Sequence, residues 1–102
     1  MQIRRAVQRD SAAIASLAAA AAAEDGVVSA LEMDRVRAHA FGSNPLFEVW
    51  LAEPGRNAAP AALAVISTSY DFRRACPGVT LCELYVAPEA RRLGLARKLM
   101  SA

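Results

Sequence analysis

The most informative segment of this chain is residues 84–96, Leu84-Tyr85-Val86-Ala87-Pro88-Glu89-Ala90-Arg91-Arg92-Leu93-Gly94-Leu95-Ala96. Its apolar start favours a buried strand, and Pro88 ends that strand because proline lacks a backbone N–H. The small residues Gly94 and Ala96 then fall in the first turn of a helix predicted over residues 90–102. Unpaired amides at such a helix start, together with the helix dipole and the neighbouring arginines, predict an anion site suited to a phosphate or pyrophosphate.

Six further elements are predicted upstream of this stretch from hydrophobic periodicity and turn signals. They are a strand over 1–7, helices over 11–23 and 29–40, and strands over 46–53, 61–72 and 79–86. Asp10 and Ser11 supply N-cap chemistry for the first helix, and Ser29 with Glu32 has the spacing of a capping box for the second. Turns are predicted at Pro54-Gly55-Arg56-Asn57 and over 73–78, where Pro77-Gly78 closes the turn. The order β-α-α-β-β-β-α is an α/β arrangement with a central antiparallel meander.

Composition limits the class of protein further. The chain has 102 residues, of which 55% are hydrophobic and 22% charged, with a net charge of +2. These values fit one small domain and exclude disorder, collagen-like repeats and a disulfide scaffold, and the charge is too weak to indicate nucleic acid. Cys76, Cys82 and His39 have no metal-ligand spacing, so no metal is expected, and they are interpreted as free cytosolic thiols and a solvated histidine.

The N-terminal segment imitates a secretory signal, because arginines precede an alanine-rich run over 12–23. Within that run only Ile14 and Leu17 are strong hydrophobes, and Asp10 stands directly before it. Alanine favours a helix but not a membrane, and the run is too short to span a bilayer. We therefore expect an ordinary amphipathic helix in a cytoplasmic protein without a membrane segment.

The pattern Arg91-x-x-Gly94-x-Ala96, following Leu84-Tyr85-Val86-x-Pro88, resembles motif A of the GNAT superfamily of acyl-CoA-dependent N-acetyltransferases. The resemblance implies that acetyl-CoA is the co-substrate and that the backbone of Leu84, Tyr85 and Val86 pairs with its pantetheine arm. It also implies that the Val86 N–H polarises the thioester carbonyl, and that Arg91 adds charge beside the pyrophosphate. Backbone amides would hold that pyrophosphate, and these belong to Arg92, Leu93, Gly94, Leu95, Ala96 and Arg97.

The amine side of the site is implied by a second resemblance. The spacing of Phe41-Gly42-x-x-Pro45, Leu51-Ala52-Glu53 and Ser69-Tyr70-Asp71 is similar to that in the diamine (spermidine/spermine) acetyltransferase branch. In that branch, acids near the end of the first helix accept the ammonium groups of the substrate. Glu24 and Asp25 occupy the matching positions, although a solvated helix end is an open alternative for them.

Cys82 and Glu83 are the candidate catalytic residues. The family often has an acid four residues before the position of Val86, where this chain has Cys82 with Glu83 beside it. Strand alternation predicts that Cys82 shares a face with Leu84 and Val86 and that Glu83 points to the opposite face, unless a bulge rephases the strand.

The family's domain continues past the motif A helix, so residues 1–102 are expected to be a single incomplete domain of this kind. The predicted strand 79–86 would then be an apolar edge strand, which favours pairing with another chain, and a homodimer is expected. Two functions stay open. The first is transfer of an acetyl group from acetyl-CoA to a primary amine, such as a polyamine or another small amine. The second is a non-catalytic remnant or interaction module with at most weak CoA binding.

Overall fold

Four strands form one antiparallel sheet in the order β1-β2-β3-β4 in a computed structural model that describes residues 2–55 and 58–101. Strands that are consecutive in the chain pair with one another. The strands are β1 (Gln2–Arg5), β2 (Glu48–Glu53), β3 (Ala62–Asp71) and β4 (Cys76–Val86). Met1, Ala102 and the Arg56-Asn57 part of the predicted 54–57 loop lie outside the described residues.

Helices cover both faces of this sheet. They are α1 (Ser11–Glu24), α2 (Met33–Ala40) and α3 (Leu95–Ser101). Ile14 of α1 lies beside Leu63 and Val65, so we call this side of the sheet the α1 face. Leu99 of α3 lies beside Trp50 and Ala64 on the opposite side, the α3 face. The predicted α/β class, element order and antiparallel meander are confirmed.

The core follows from these two faces. On the α1 face, Ile14, Leu51 and Leu63 are each at most 1% exposed. On the other face, Leu95 and Leu99 are 1% and 5% exposed. Burial of each such side chain contributes about 1.5–3 kcal/mol, so packing on the sheet fixes where the short helices lie.

The second helix begins later than predicted. It starts at Met33 rather than at residue 29, so the capping box predicted for Ser29 and Glu32 is wrong. The Ser29 hydroxyl oxygen instead accepts the amide of Leu31 at 3.1 Å, a local bond that competes with a helix start. The segment 27–32 is consequently an irregular connection that passes over the α1 face.

The turn between β3 and β4 also differs from the prediction. The structure forms it over 72–75, with Ala75 at φ 50°, and β4 begins at Cys76. Pro77 and Gly78, predicted to close the turn, pair in the ladder with Tyr70 and Ser69. Proline is tolerated there because β4 is an edge strand of the described sheet, where a missing donor costs little.

The C-terminal helix predicted over 90–102 is divided into two pieces. A 3₁₀ helix covers Pro88–Leu93 and α3 starts at Leu95. Gly94 separates them at φ +74°, a left-handed conformation that glycine adopts without strain.

The described residues contain no helix that is both long and apolar enough to cross a bilayer. Within the same ranges, no group of His, Cys, Asp and Glu side chains is placed to hold a metal ion. Cys76 and Cys82 are free, as predicted, and both are exposed, as is His39.

Candidate functional site

A β-bulge in β4 decides where the two candidate catalytic side chains point. Val65 pairs with Glu83 and the next residue, Ile66, pairs with Leu81, so Cys82 is an extra residue in β4. The Sγ atom of Cys82 lies 3.3 Å from Oγ of Ser67, which alternation along β3 places on the α1 face. Cys82 and Glu83 therefore share that face. The predicted placement of Cys82 with Leu84 and Val86 is wrong, because the bulge rephases the strand.

The end of β4 presents backbone groups on its outer edge. The Ala87 amide donates to the Ala61 carbonyl at 2.7 Å, toward β3. Bonded and non-bonded pairs alternate in an antiparallel ladder, so the N–H and C=O of Val86, opposite Ala62, are directed away from β3. In agreement, the Val86 carbonyl accepts a bond from Nε of Arg91 at 3.0 Å. The resemblance to motif A implies that the Val86 N–H polarises the thioester carbonyl from this edge.

The start of α3 leaves amides without backbone partners. Lys98 makes the first helical bond, to the Gly94 carbonyl at 3.1 Å. Among the described residues, the amides of Leu95, Ala96 and Arg97 have no backbone acceptor. Arg92 and Leu93, also predicted to supply amides, lie in the preceding 3₁₀ helix, where i→i+3 bonds engage backbone groups.

The end of α1 meets β4 and the 3₁₀ helix through an ion pair. The Nη2 atom of Arg91 lies 2.6 Å from Oε1 of Glu24, and the Tyr85 hydroxyl donates to Oε2 of Glu24 at 3.0 Å. The Arg91 guanidinium also lies 5.9 Å from the centre of the Tyr85 ring. Sequence reasoning missed this cluster, because Glu24 and Arg91 are 67 residues apart.

These contacts set the protonation of the cluster. The bond from Arg91, and then that from Tyr85, holds the pKa of Glu24 below its usual value. Desolvation, and then the bond to Glu24, raises the pKa of Tyr85. At neutral pH the Glu24 carboxylate is therefore ionised and accepts hydrogen bonds, and the neutral Tyr85 hydroxyl donates one. The negative charge of Glu24 is balanced by the positive charge of Arg91.

The turn after α1 positions the second predicted acid. Gly26 has φ +74° and its amide donates to the Ala23 carbonyl, while the Val27 amide donates to the Ala22 carbonyl. These two bonds form a Schellman motif, which ends the helix and reverses the chain. Asp25 is thereby held at the helix end, where it makes no ion pair or side-chain hydrogen bond within residues 2–55 and 58–101.

One cavity of about 400 Å³, which we call the β4 cavity, gathers most of the predicted site. It is lined by Ala21 and by eight predicted site residues, Glu24, Asp25, Glu83, Leu84, Tyr85, Val86, Arg91 and Ala96. The structure thus brings the predicted amine-binding acids to the strand predicted to bind the co-substrate. The remaining predicted residues do not line this cavity: Cys82, Arg92, Leu93, Gly94, Leu95 and Arg97.

A second cavity of about 330 Å³, the apolar cavity, adjoins the first, because Asp25 and Glu83 line both. Residues on one face of α1, including Ala18 and Ala22, form part of its wall with Phe47. Sequence reasoning did not single these residues out, since apolar side chains at helical spacing are ordinarily core.

Known structures share this fold. A probable acetyltransferase matches with a TM-score of 0.82 at 22% identity, covering 99% of this chain and 67% of its own. A tetramutant of the BH1408 protein of Bacillus halodurans matches with a TM-score of 0.78 at 20% identity, covering 99% and 71%. The ribosomal-protein-alanine N-acetyltransferase of Brucella melitensis biovar Abortus 2308 matches with a TM-score of 0.70 at 17% identity, covering 99% and 67%.

The likeness confirms the predicted GNAT-type fold class, and at these identities it concerns the fold. The chain spans 67–71% of the length of these three proteins. No family model matches the sequence, and no curated protein matches it.

Proposed function

We propose that this chain carries the acetyl-CoA-dependent, amine-binding part of an N-acetyltransferase. The observation that carries the proposal is the β4 cavity, where the outer edge of β4, Arg91 and unpaired acids meet in a fold shared with acetyltransferases. No other described part of the chain combines a free strand edge with acids of this kind.

The co-substrate fits the groups on the outer edge of β4. Leu84 presents its backbone N–H and C=O there and Val86 presents its N–H, and these groups can pair with the amides of an extended pantetheine arm. The Val86 carbonyl is engaged by Arg91. The amides of Leu95, Ala96 and Arg97, which have no backbone acceptor among the described residues, follow the 3₁₀ helix and are proposed to bind the pyrophosphate. In this proposal the Val86 N–H donates to the thioester carbonyl oxygen, where negative charge develops during transfer.

The acceptor is a primary amine that attacks the thioester carbon directly. A C–N bond forms and the C–S bond breaks. The bound ammonium loses one proton before the attack and a second as the amide forms; the departing thiolate gains one of these protons and the other leaves to solvent. Asp25 and Glu83 are the free acids at the cavity, and Glu83 is the proposed acceptor of the amine's proton, directly or through water. Glu24, also predicted to bind the amine, is committed to Arg91 and is proposed to position that residue.

The diamine branch and a polyamine acceptor stay predictions from the sequence. The cavity supports an amine acceptor, because two of its acids lack a cation among the described residues. It does not by itself select a diamine.

Binding of CoA tests the co-substrate half of the proposal. Gly94→Arg is expected to weaken CoA binding at least tenfold in isothermal titration, because the long side chain would occupy the open space at Gly94, beside the amides proposed to bind the pyrophosphate. Gly26→Arg is the matched control. Gly26 has the same φ of +74° and the same open space around a Cβ, but it is remote in the chain from residues 92–97. Equal CoA binding by the wild type and both variants would show that the backbone beside Gly94 does not bind the pyrophosphate.

Turnover tests the transfer half. Acetylated amine should be detected by mass spectrometry rather than by following released CoA with a thiol reagent. The exposed thiols of Cys76 and Cys82 would react with such a reagent. CoA binding without any acetylated product would instead favour the non-catalytic module.

A further inference from the structure

The apolar cavity has a composition that distinguishes between amines. It lies between α1, the connection 27–32 and the α1 face of the sheet. Six large apolar side chains form most of its wall: Ile14, Val27, Leu31, Phe47, Leu63 and Val65. Its volume of about 330 Å³ is near the lower end for small-molecule sites, which suits a short chain or a single ring.

The charged groups of this cavity lie where it meets the β4 cavity. Asp25 and Glu83 line both cavities, and neither has a cation or hydrogen-bond donor among the described residues. The other polar wall residue is Ser29, whose hydroxyl oxygen is engaged by the Leu31 amide. A ligand in the apolar cavity therefore meets two carboxylates at the end that joins the β4 cavity and mainly apolar groups along the rest of the wall.

Resting on the proposed function, we propose that the acceptor is a primary amine on a purely apolar body. Its ammonium lies between Asp25 and Glu83, facing Val86, and its alkyl or aryl body fills the apolar cavity. The ammonium is attracted by two carboxylates that have no cation among the described residues, and the body removes apolar surface from water.

A polyamine fits the same space poorly. Its second ammonium would lie several methylenes beyond the first, against Leu31, Phe47 or Leu63, where the described wall offers no counter-charge. Burial of an unpaired charge is costly, so the second ammonium should weaken binding.

Two amines that differ at one end test this inference on the full chain. Hexylamine and 1,6-diaminohexane have the same six carbons, and the second replaces a terminal hydrogen by an ammonium. Isothermal titration at pH 7.5 is expected to show at least tenfold tighter binding of hexylamine. Equal or tighter binding of the diamine, or no binding of either amine, would overturn the inference.

A carboxylate placed in the apolar wall should reverse the preference. Ala18→Glu is expected to favour the diamine, because Ala18 lines the cavity. Ala19→Glu is the matched control, since Ala19 is exposed and does not line it, and it should leave the preference unchanged. Circular dichroism checks folding, and the wild-type comparison decides the matter even if Ala18→Glu does not fold.

Different outcomes would contradict the proposed function and this inference. Selective binding of hexylamine without N-acetylhexylamine in the presence of acetyl-CoA would support the apolar-amine site and contradict the transferase. Acetylation of the diamine in preference to hexylamine would do the reverse.

Discussion

At the scale of single residues, Arg4 links β1 to two other elements. Its Nη1 and Nη2 atoms donate to both oxygens of Asp10 at 2.8 and 2.9 Å, and its Nε donates to Glu53 of β2 at 2.9 Å. Asp10 also accepts the Val7 amide at 2.8 Å, so its carboxylate does not make the N-cap bond predicted for α1. The pair thus fixes the start of α1 against the sheet.

Asp10→Asn should destabilise the fold by about 1–2 kcal/mol at pH 7, because it breaks a largely buried charge-assisted pair. The bond from Arg4 is the main cause that holds the pKa of Asp10 below its ordinary value. The stabilisation is therefore complete above the unfolded pKa of about 3.9 and is lost as the pH falls through the folded value. Urea unfolding at pH 7 and near pH 3 should show the difference between wild type and variant shrinking in acid.

Asp34→Asn is the control for this prediction, since Asp34 is exposed on α2 and has no ion pair among the described residues. An Asp10→Asn cost that stays constant down to pH 3 would mean that the Arg4 pair does not stabilise through charge.

At the scale of elements, the turns at both ends of the site matter more than the helices themselves. The Schellman motif at Gly26 ends α1 beside Asp25 and directs Val27 into the apolar cavity. The bulge at Cys82 puts the side chains of Cys82 and Glu83 on the same face of the sheet, and Gly94 divides the last helix so that α3 has its own start.

Gly26→Ala is expected to lower the free energy of unfolding by about 1–2 kcal/mol, the cost of a left-handed conformation for a residue with Cβ. No heavy atom lies within 4 Å of a Cβ built there, so the cost is backbone strain alone. Chemical denaturation measures it. Gly26→Asn should cost less, because asparagine tolerates this conformation, and equal costs for the two variants would point to another cause.

At the scale of the whole molecule, the sheet is unevenly covered. Its centre, at Leu51 and Leu63, is fully buried, whereas Thr68 to Thr80 are all exposed. Tyr70 and Phe72 are 58% and 89% exposed and meet edge to face with ring centres 6.3 Å apart. The far half of the β3–β4 hairpin therefore has a ladder but little buried surface.

Hydrogen exchange should consequently be faster in the far half of the hairpin than in β2 and in residues 62–65 of β3. Ladder bonds without burial open at low free energy, whereas central strands open only with global unfolding. Mass spectrometry of exchanged peptides checks this at low concentration. The homodimer stays a prediction, and slower exchange of the hairpin at high concentration would support it. Equal protection throughout β3 at low concentration would contradict the prediction.

The element order, the meander and the strand-turn-helix stretch at 84–96 were predictable from the amino-acid sequence, because periodicity, Pro88 and Gly94 are local signals. The sequence also indicated Glu24, Asp25 and Glu83 as the acids of interest. Three features were visible only in the folded chain: Arg91 pairs with Glu24, a bulge brings Cys82 to the face of Glu83, and Asp25 and Glu83 border an apolar cavity. Those facts depend on contacts between residues far apart in the chain and on strand register, which no local pattern encodes.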